Sequence, residues 1–470
     1  MIGQKDRVFL QHASISLDEL VPEDNFYRQL EECINLEFIR DIVQDLYSNI
    51  GRPSIDPIVF FKLQLIAFFE GVRSERQLME MVNLNLAHRW FIGYDLDEAV
   101  PDHSSLSKIR ERYGFAVFQA FFEKIVELCK EAGLVWGEEL YLDSTKVQAN
   151  ASINGMVDRA TFETQDHLEA LFDERSDIGM IAKYNGERLA SHRNSTYQRI
   201  TDKQISPVDP AASPMRQSGG SKAVLGYHDH YVIDGGKARI ILRALVTPAS
   251  IMDNTPMLDL VDWVKSRWQL DPKIAVGDSK YGTVKNILGL EQAGIKAYMP
   301  LADLSRRTGF YPAEDFQYDA ELDQYLCPQG ETLRLFSRRT GEQVRVYRAD
   351  SKACNVCPVK TECTKSKSGR HIFRSFHQEF IERVKEYHQT EHYQKSMRKR
   401  GFWVDPLFGE AKDFHRLRRF RLRGLLKVNI EGVMIAAGQN LKRLLKHKLD
   451  WVLCFFNSLF SCASRGELGI

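Results

Sequence analysis

The sequence predicts an α/β protein: a mixed sheet core, an all-helical N-terminal region and a cysteine-rich insertion. Three observations predict it. Residues up to about Gly133 carry helix caps and helical spacing. Beyond Gly137 the apolar residues alternate and then give way to strand–helix alternation. Four clustered cysteines interrupt that alternation. The organisation expected is a helical region over 1–135, a first part of the core over 136–300 with a polar excursion at 151–221, an inserted four-cysteine unit over 301–389, basic helices over 390–448 and a tail over 449–470.

In the helical region, Asp56 is placed to cap a helix with Pro57 at its first position. The following IVFFKLQLIAFFEG is apolar nearly all round until Gly71, the mark of a buried helix. Ser74 with Gln77 forms a capping box for the next. In PDHSSLSKIRERYG, Ser104 or Ser105 caps a short helix that displays Lys108, Arg110 and Arg112. Such helices fit a helix-turn-helix-like DNA-binding unit, although small helical bundles often expose such charges.

GEELYLDSTKVQA then reads as a strand that ends on Asp143, with Leu140 and Leu142 on one face and Tyr141 and Asp143 on the other. The 151–221 stretch is polar and rich in turn formers, with helical character near TFETQDHLEALFDE. AVLGYHDHYVIDGGKARIILRALVTPA is a hairpin pattern around Asp234-Gly235-Gly236, in which His228 and His230 belong to the sheet. A helix over about 255–268, a strand leading to Asp278, a helix in TVKNILGLEQAG and a strand in IKAYMP complete the alternation. Acids at strand ends stand where open α/β sheets place their active sites.

Within the insertion, Cys327, Cys354, Cys357 and Cys363 supply one distant thiol, a C-x-x-C knuckle and a fourth five residues on. This set suits a closed structural Zn2+ site, or else four free thiols. Cys33, Cys129, Cys454 and Cys462 read as packing residues.

Composition bounds the function. With 43% hydrophobic and 27% charged residues in 470, the chain is ordinary for a soluble globular protein, and no apolar run is long enough to span a bilayer. No secretory pattern opens it, so a cytoplasmic protein with reduced or metal-bound cysteines is expected. The net charge is only +1, yet residues 391–450 hold fifteen Lys and Arg against six Asp and Glu, a footprint for a polyanion or a solvated helical face. Two widely separated acids followed by an acid-bearing basic helix are what a carboxylate-held pair of divalent ions requires, and such a pair cuts or transfers phosphodiesters.

YLDSTKVQANAS, VGDSKYGT and WVDPLFGEAKDFHRLRRFRLRGLLKVNIEG, with GRPSIDPIVFFKLQLIAFFEGVRSERQL and PDHSSLSKIRERYG upstream, resemble the DDE transposases of bacterial insertion sequences. The resemblance spans nearly the whole chain to about Lys448, in the family's order. It implies an RNase H-like core that cuts DNA at transposon ends and joins the freed 3′ hydroxyls to a target, with Mg2+ or Mn2+ held by Asp143, Asp278 and a third acid. That acid falls at Asp405, where the family has glutamate, and a DNA-contacting lysine at Lys412. Glu410 is the second choice: about 140° around a helix from Asp405, it cannot share its face, whereas Lys412 does. Asp405 before Pro406 also fits a helix cap. Arg398, Arg400, Lys412, Arg416, Arg418 and Arg419, with Lys108 and Arg110 upstream, are expected to meet DNA phosphates. Phe408, Phe414, Phe420 and Trp403 read as core, and Asn429 and Gln439 as structural. The partners implied are transposon terminal inverted repeats, target DNA and a second copy of the chain, in a nucleoid-associated setting. A non-catalytic DNA-binding relic and a host nuclease on the same core are the competing readings.

Overall fold

A computed structural model describes residues 16–48, 50, 54–159, 203–217, 221–301 and 309–463. The expected helical character near 161–174 lies outside them. The chain divides into two compact units, one of residues 1–137, 143–252 and 403–470, the other of 138–142 and 253–402.

The first unit opens with α1 (Leu17–Leu20), α2 (Phe26–Cys33), α3 (Phe38–Val43), α4 (Pro57–Phe69), α5 (Glu75–Leu84), α6 (Leu86–Ile92) and α7 (His103–Glu131). As the sequence predicts, the Asp56 side chain accepts from the Ile58 N–H at 2.8 Å, Pro57 starts α4, and Phe60, Phe61, Leu63 and Leu65 are buried. The α7 cap differs from expectation. Asp102, not Ser104 or Ser105, caps it, its carboxylate accepting from the Ser104 N–H at 2.8 Å. The carboxylate, two residues before Ser104, starts the helix earlier by accepting that N–H. Gly114, at φ 60° and ψ −172°, breaks α7 where the sequence ends its short helix.

Then come β1 (Glu139–Gln148), which passes from the second unit into the first, and β2 (Val157–Asp158), β3 (Gln204–Ile205), β4 (Ser213–Met215), β5 (Val224–Asp234) and β6 (Ile241–Pro248). β6 and β4 pair antiparallel with successive stretches of β5. The hairpin closes at the expected glycines, where the Asp234 carboxylate accepts from the N–H groups of Gly236, Trp136 and Gly137. β1 does not end on Asp143, as the alternation implies, but continues for five residues. Val147 is fully buried, the Ala149 N–H bonds the Leu225 carbonyl at 2.8 Å, and Gln148 exchanges backbone bonds with Arg418 and Phe420, so the extension has partners on both sides.

α14 (Asp405–Asp413) and α15 (Leu425–Ala463) complete this unit, and α15 packs on α7, β6, α4 and α2. The helical region therefore shares a core with the basic segment rather than standing apart. Asn429 and Asn440 of α15 each pair with a residue of β6 as a neighbouring strand would. The Asn429 amide oxygen accepts from the Val246 N–H at 2.8 Å and its NH2 donates to the Val246 carbonyl at 2.9 Å; Asn440 repeats both bonds with Ile241. These buried amides satisfy strand groups that would otherwise be orphaned. Gly438 lies against Phe68 of α4, whose ring carbons would stand 2.5 Å from an added Cβ. Gly438→Ala is accordingly expected to lower unfolding stability by about 1–3 kcal/mol in a denaturant titration, despite alanine's better helix propensity.

The second unit begins with Glu139–Tyr141 of β1, parallel to β7 (Ile274–Val276), which is parallel to β8 (Lys296–Tyr298). α8 (Met257–Trp268) and α9 (Val284–Gln292) are the intervening helices, with Thr283 capping α9. A separate antiparallel sheet of order β13-β12-β11-β10-β9 follows, from β9 (Gln317–Asp319), β10 (Gln324–Leu326), β11 (Thr332–Arg339), β12 (Val344–Ala349) and β13 (His371–Ser375). Its core is Phe316, Tyr325, Leu333, Tyr347, Ala349 and Ile372. The short helices α10 (Ser351–Asn355) and α11 (Lys360–Cys363) sit between β12 and β13 in the chain, and α12 (Gln378–His388) and α13 (Glu391–Trp403) close the unit. The Lys399 ammonium reaches the buried Glu139 carboxylate at 3.0 Å, fixing α13 to the start of β1. Among the described residues no helix is long and apolar enough to cross a membrane.

Candidate active site

Asp143 is half-buried on β1, and its carboxylate accepts from the Ser144 N–H at 2.8 Å. Asp278 lies in the turn just past β7, where it accepts from the Lys280 N–H at 2.9 Å. Gly277 precedes it because a Cβ there would come within 2.9 Å of Tyr281. The β1–β7 register sets Tyr141 opposite Val276, and two residues beyond that last pair the two chains carry Asp143 and Asp278 respectively.

Asp405 is exposed at the first position of α14. Val404 occupies the N-cap and no side chain caps the helix, so the capping role that Asp405-Pro406 allows is not formed. Glu410 is differently placed. Its carboxylate takes Lys442, Arg443 at 3.3 Å and the Gln439 amide at 3.1 Å. Burial opposes its ionisation, but the nearby His415, the hydrogen bond of Lys442 and the charge of Arg443 hold it well below the usual carboxylate range. It is a structural anion tying α14 to α15. Gln439 also donates to the Leu407 carbonyl at 2.8 Å, the structural part expected of it.

Lys412 is half-buried, and burial and then Arg418 lower its pKa, while Asp143, Asp229 and Asp413 act in the opposite direction. Two acids near this place escaped the sequence reading. Asp229 on β5 is fully buried, and neither carboxylate oxygen has a hydrogen-bond partner among the described residues. Glu431 of α15 receives the backbone N–H groups of Arg421 and Leu422. Burial pushes both carboxyls up, Asp229 well above its ordinary value with Glu431 adding to it. Asp229 shares the period-two positions of Tyr227, Tyr231 and Ile233, but His228, His230 and Val232 between them are buried too, so alternation along β5 does not single it out. A carboxyl raised by folding stabilises the fold below its unfolded pKa and loses that contribution as pH rises. Asp229→Asn should therefore flatten the stability–pH curve. Its advantage over the parent is expected to grow by up to about 1.4 kcal/mol per pH unit above pH ~4, read by thermal unfolding at several pH values.

His228 and His230 are sheet residues, as expected: buried, with ring nitrogens on the Ile251 carbonyl at 3.0 Å and the Thr247 hydroxyl at 2.8 Å.

Among the cations expected to meet DNA, Lys108, Arg398, Arg416, Arg418 and Arg419 are exposed and Arg400 is half-buried. Arg110 is a correction. Its guanidinium is buried against Glu75, which Arg421 also reaches at 2.9 Å, so it is an internal ion-pair residue. Phe414 is another. Phe408 and Phe420 are core, but Phe414 is 68% exposed, because α14 ends at Asp413 and the Phe414 backbone carbonyl, not its ring, faces Gly71.

Beside the five-stranded antiparallel sheet, Cys327, Cys354, Cys357 and Cys363 line one cavity, and the Glu331 N–H donates to the Cys327 sulfur at 3.2 Å. Burial raises the Cys363 thiol, and the other three cysteines raise it further. The donor chemistry suits Zn2+ there and Mg2+ at the aspartates. Among the described residues, however, no three His, Cys, Asp or Glu side chains are gathered closely enough to hold an ion. Cys33 and Cys129 are buried packing residues, as expected.

A mixed-sheet core carrying aspartates beside paired parallel strands, with a helical N-terminal region and a basic C-terminal segment, has the features of a transposase. Residues 15–112 match a transposase domain, and residues 326–445 match a transposase DDE domain that includes Asp405, Glu410, Lys412 and the four cysteines. Both matched stretches are thus transposase domains, the second of them a transposase DDE domain. No curated protein matches it. A solved structure, the synaptic complex of piggyBac transposase with hairpin DNA, is similar at 10% identity and a TM-score of 0.32, covering 90% of this chain and 76% of that one.

Proposed function

We propose that this transposase cuts DNA at the ends of an insertion sequence and joins the freed 3′ hydroxyls to a target. On this reading Asp143, Asp278 and Asp405 hold two divalent ions at the edge of an RNase H-like sheet. The observation that carries it is the β1–β7 register, whose last pair, Tyr141 with Val276, stands two residues before Asp143 in one strand's sequence and two before Asp278 in the other's. Mg2+ or Mn2+ between such carboxylates would activate the attacking oxygen and stabilise the leaving one. Lys412, which feels the charge of Asp143, would bind the phosphate being cut. Lys108, Arg398, Arg400, Arg416, Arg418 and Arg419 add affinity that falls with salt. Arg418 pairs with Asp413 at the surface, an interaction weak enough for a DNA phosphate to displace. The partners are the terminal inverted repeats, target DNA and a second copy in the synaptic assembly, and the setting is the bacterial cytoplasm at the nucleoid. Zn2+ held by the four cysteines would stabilise the insertion; a purified chain without stoichiometric zinc and indifferent to chelators would refute that part.

A second reading, a DNA-binding relic without catalysis, has one observation in its favour. Asp405 is a methylene shorter than glutamate and is exposed, with no hydrogen bond or ion pair to the described residues. The test is incubation with a duplex bearing the element's ends in Mg2+ or Mn2+. Cleavage followed by joining to a second duplex supports the transposase. Cleavage without joining indicates a nuclease, and binding without cleavage the relic.

A further inference from the structure

The outward face of the insertion's sheet departs from what a solvated antiparallel face should carry. Its inner face is the core of Leu333, Tyr347, Ala349 and Ile372, so the alternate positions should be polar. Instead Phe336 and Phe373 are 53% and 54% exposed there. Arg334, Arg348 and His371 form one cross-strand row. In the next, Ser337 and Phe373 flank Val346; Phe336, two residues on from Arg334 and left unpaired by the β11 bulge between Leu335 and Ser337, faces the same side. The Arg348 guanidinium lies 3.7 Å over the Phe336 ring and that of Arg339 lies 5.4 Å over Phe373. The outward positions of these three strands include no acid; Glu342 in the β11–β12 turn pairs with Arg339 at 3.2 Å, and Asp350 follows β12.

We propose that this face binds an unpaired, single-stranded stretch of DNA, with bases stacked on Phe336 and Phe373 and phosphates on Arg334, Arg339 and Arg348. The charge selects a polyanion. The aromatic rings select one whose base faces are open, which a duplex does not offer and a single strand does. The proposal rests on the reading that the protein acts on DNA, and it adds a surface distinct from the carboxylates and the basic C-terminal segment. The two rings also shield Val346, which is 1% exposed, and leucine could do that without stacking.

The test uses the full chain with Asp143→Asn, which prevents cutting, and fluorescence anisotropy on a labelled oligothymidylate and on a duplex of equal length. Phe336→Leu and Phe373→Leu are each expected to weaken single-strand binding roughly tenfold, and more than duplex binding, while Phe336→Tyr and Phe373→Tyr restore it. Arg348→Gln should reduce the slope of log affinity against log salt by about 0.7. Leucine variants that bind oligothymidylate as tightly as the parent would overturn the proposal and leave the transposase reading standing. A preference for oligouridylate over oligothymidylate that depends on the two rings would overturn it in favour of RNA. Failure of the parent to bind either DNA would refute both.

Discussion

Asp143→Asn is expected to abolish divalent-ion-dependent cleavage of transposon-end DNA, lowering the rate at least about a thousandfold while the fold survives. The amide keeps the shape and can still accept from the Ser144 N–H, but it removes the charge that a hard cation needs. Losing a metal ligand costs several kcal/mol of transition-state stabilisation, and each 1.36 kcal/mol is tenfold in rate. Asp278→Asn is expected to match it. Asp405→Glu, which restores the length found in the family, should raise cleavage above the parent if the shorter chain limits the site. The readout is strand cleavage in Mg2+, with near-native thermal unfolding as the control for folding.

Glu75→Ala should produce the largest loss of stability, about 3–5 kcal/mol. Glu75 holds Arg110, which is 4% exposed, together with Arg421 at 2.9 Å and the Ser107 hydroxyl at 2.9 Å. Truncation leaves Arg110 buried without its counter-charge. Burial disfavours the Glu75 carboxylate, but Arg110 and Arg421 more than offset it and lower its pKa. An acid lowered by folding contributes above its unfolded pKa and loses that contribution as pH falls, so the deficit of Glu75→Ala should narrow below about pH 4. The exposed Arg418–Asp413 pair is the contrast: removing Asp413 should change stability by under about 1 kcal/mol in the same denaturant series.

Local chemistry was the part most legible in the sequence. The Asp56-Pro57 start of α4, the Asp-Gly-Gly hairpin and the strand–helix alternation around Asp278 depend on residues within a few positions of one another, and each formed as expected. The misreadings of Arg110 and of the end of β1 involve partners distant in the chain. Nothing near Arg110 reveals that Glu75 and Arg421 enclose it, and the extension of β1 beyond Asp143 depends on backbone bonds from Leu225, Arg418 and Phe420. The amide pairing of Asn429 and Asn440 with β6 likewise joins positions nearly two hundred residues apart. At the candidate site, Asp143 and Asp278 could be picked out by family pattern. The buried acids Asp229 and Glu431 could not, because burial is decided by α15 closing over β5 and β6. The exposed phenylalanines of the five-stranded sheet escaped for a related reason: the pairing of β11, β12 and β13, which spans nearly forty residues, decides that Phe336 and Phe373 share one face.

The central claim, that aspartates distant in the chain hold divalent ions together, is tested most directly by iron-directed backbone scission. Fe2+ loaded in place of Mg2+ generates hydroxyl radicals where it is bound, and mapping the fragments locates it without any need for turnover. Scission beside both Asp143 and Asp278, suppressed by excess Mg2+ and lost at both places in Asp143→Asn, is the predicted result. Scission at neither position, or a pattern that Asp143→Asn leaves unchanged, would contradict it.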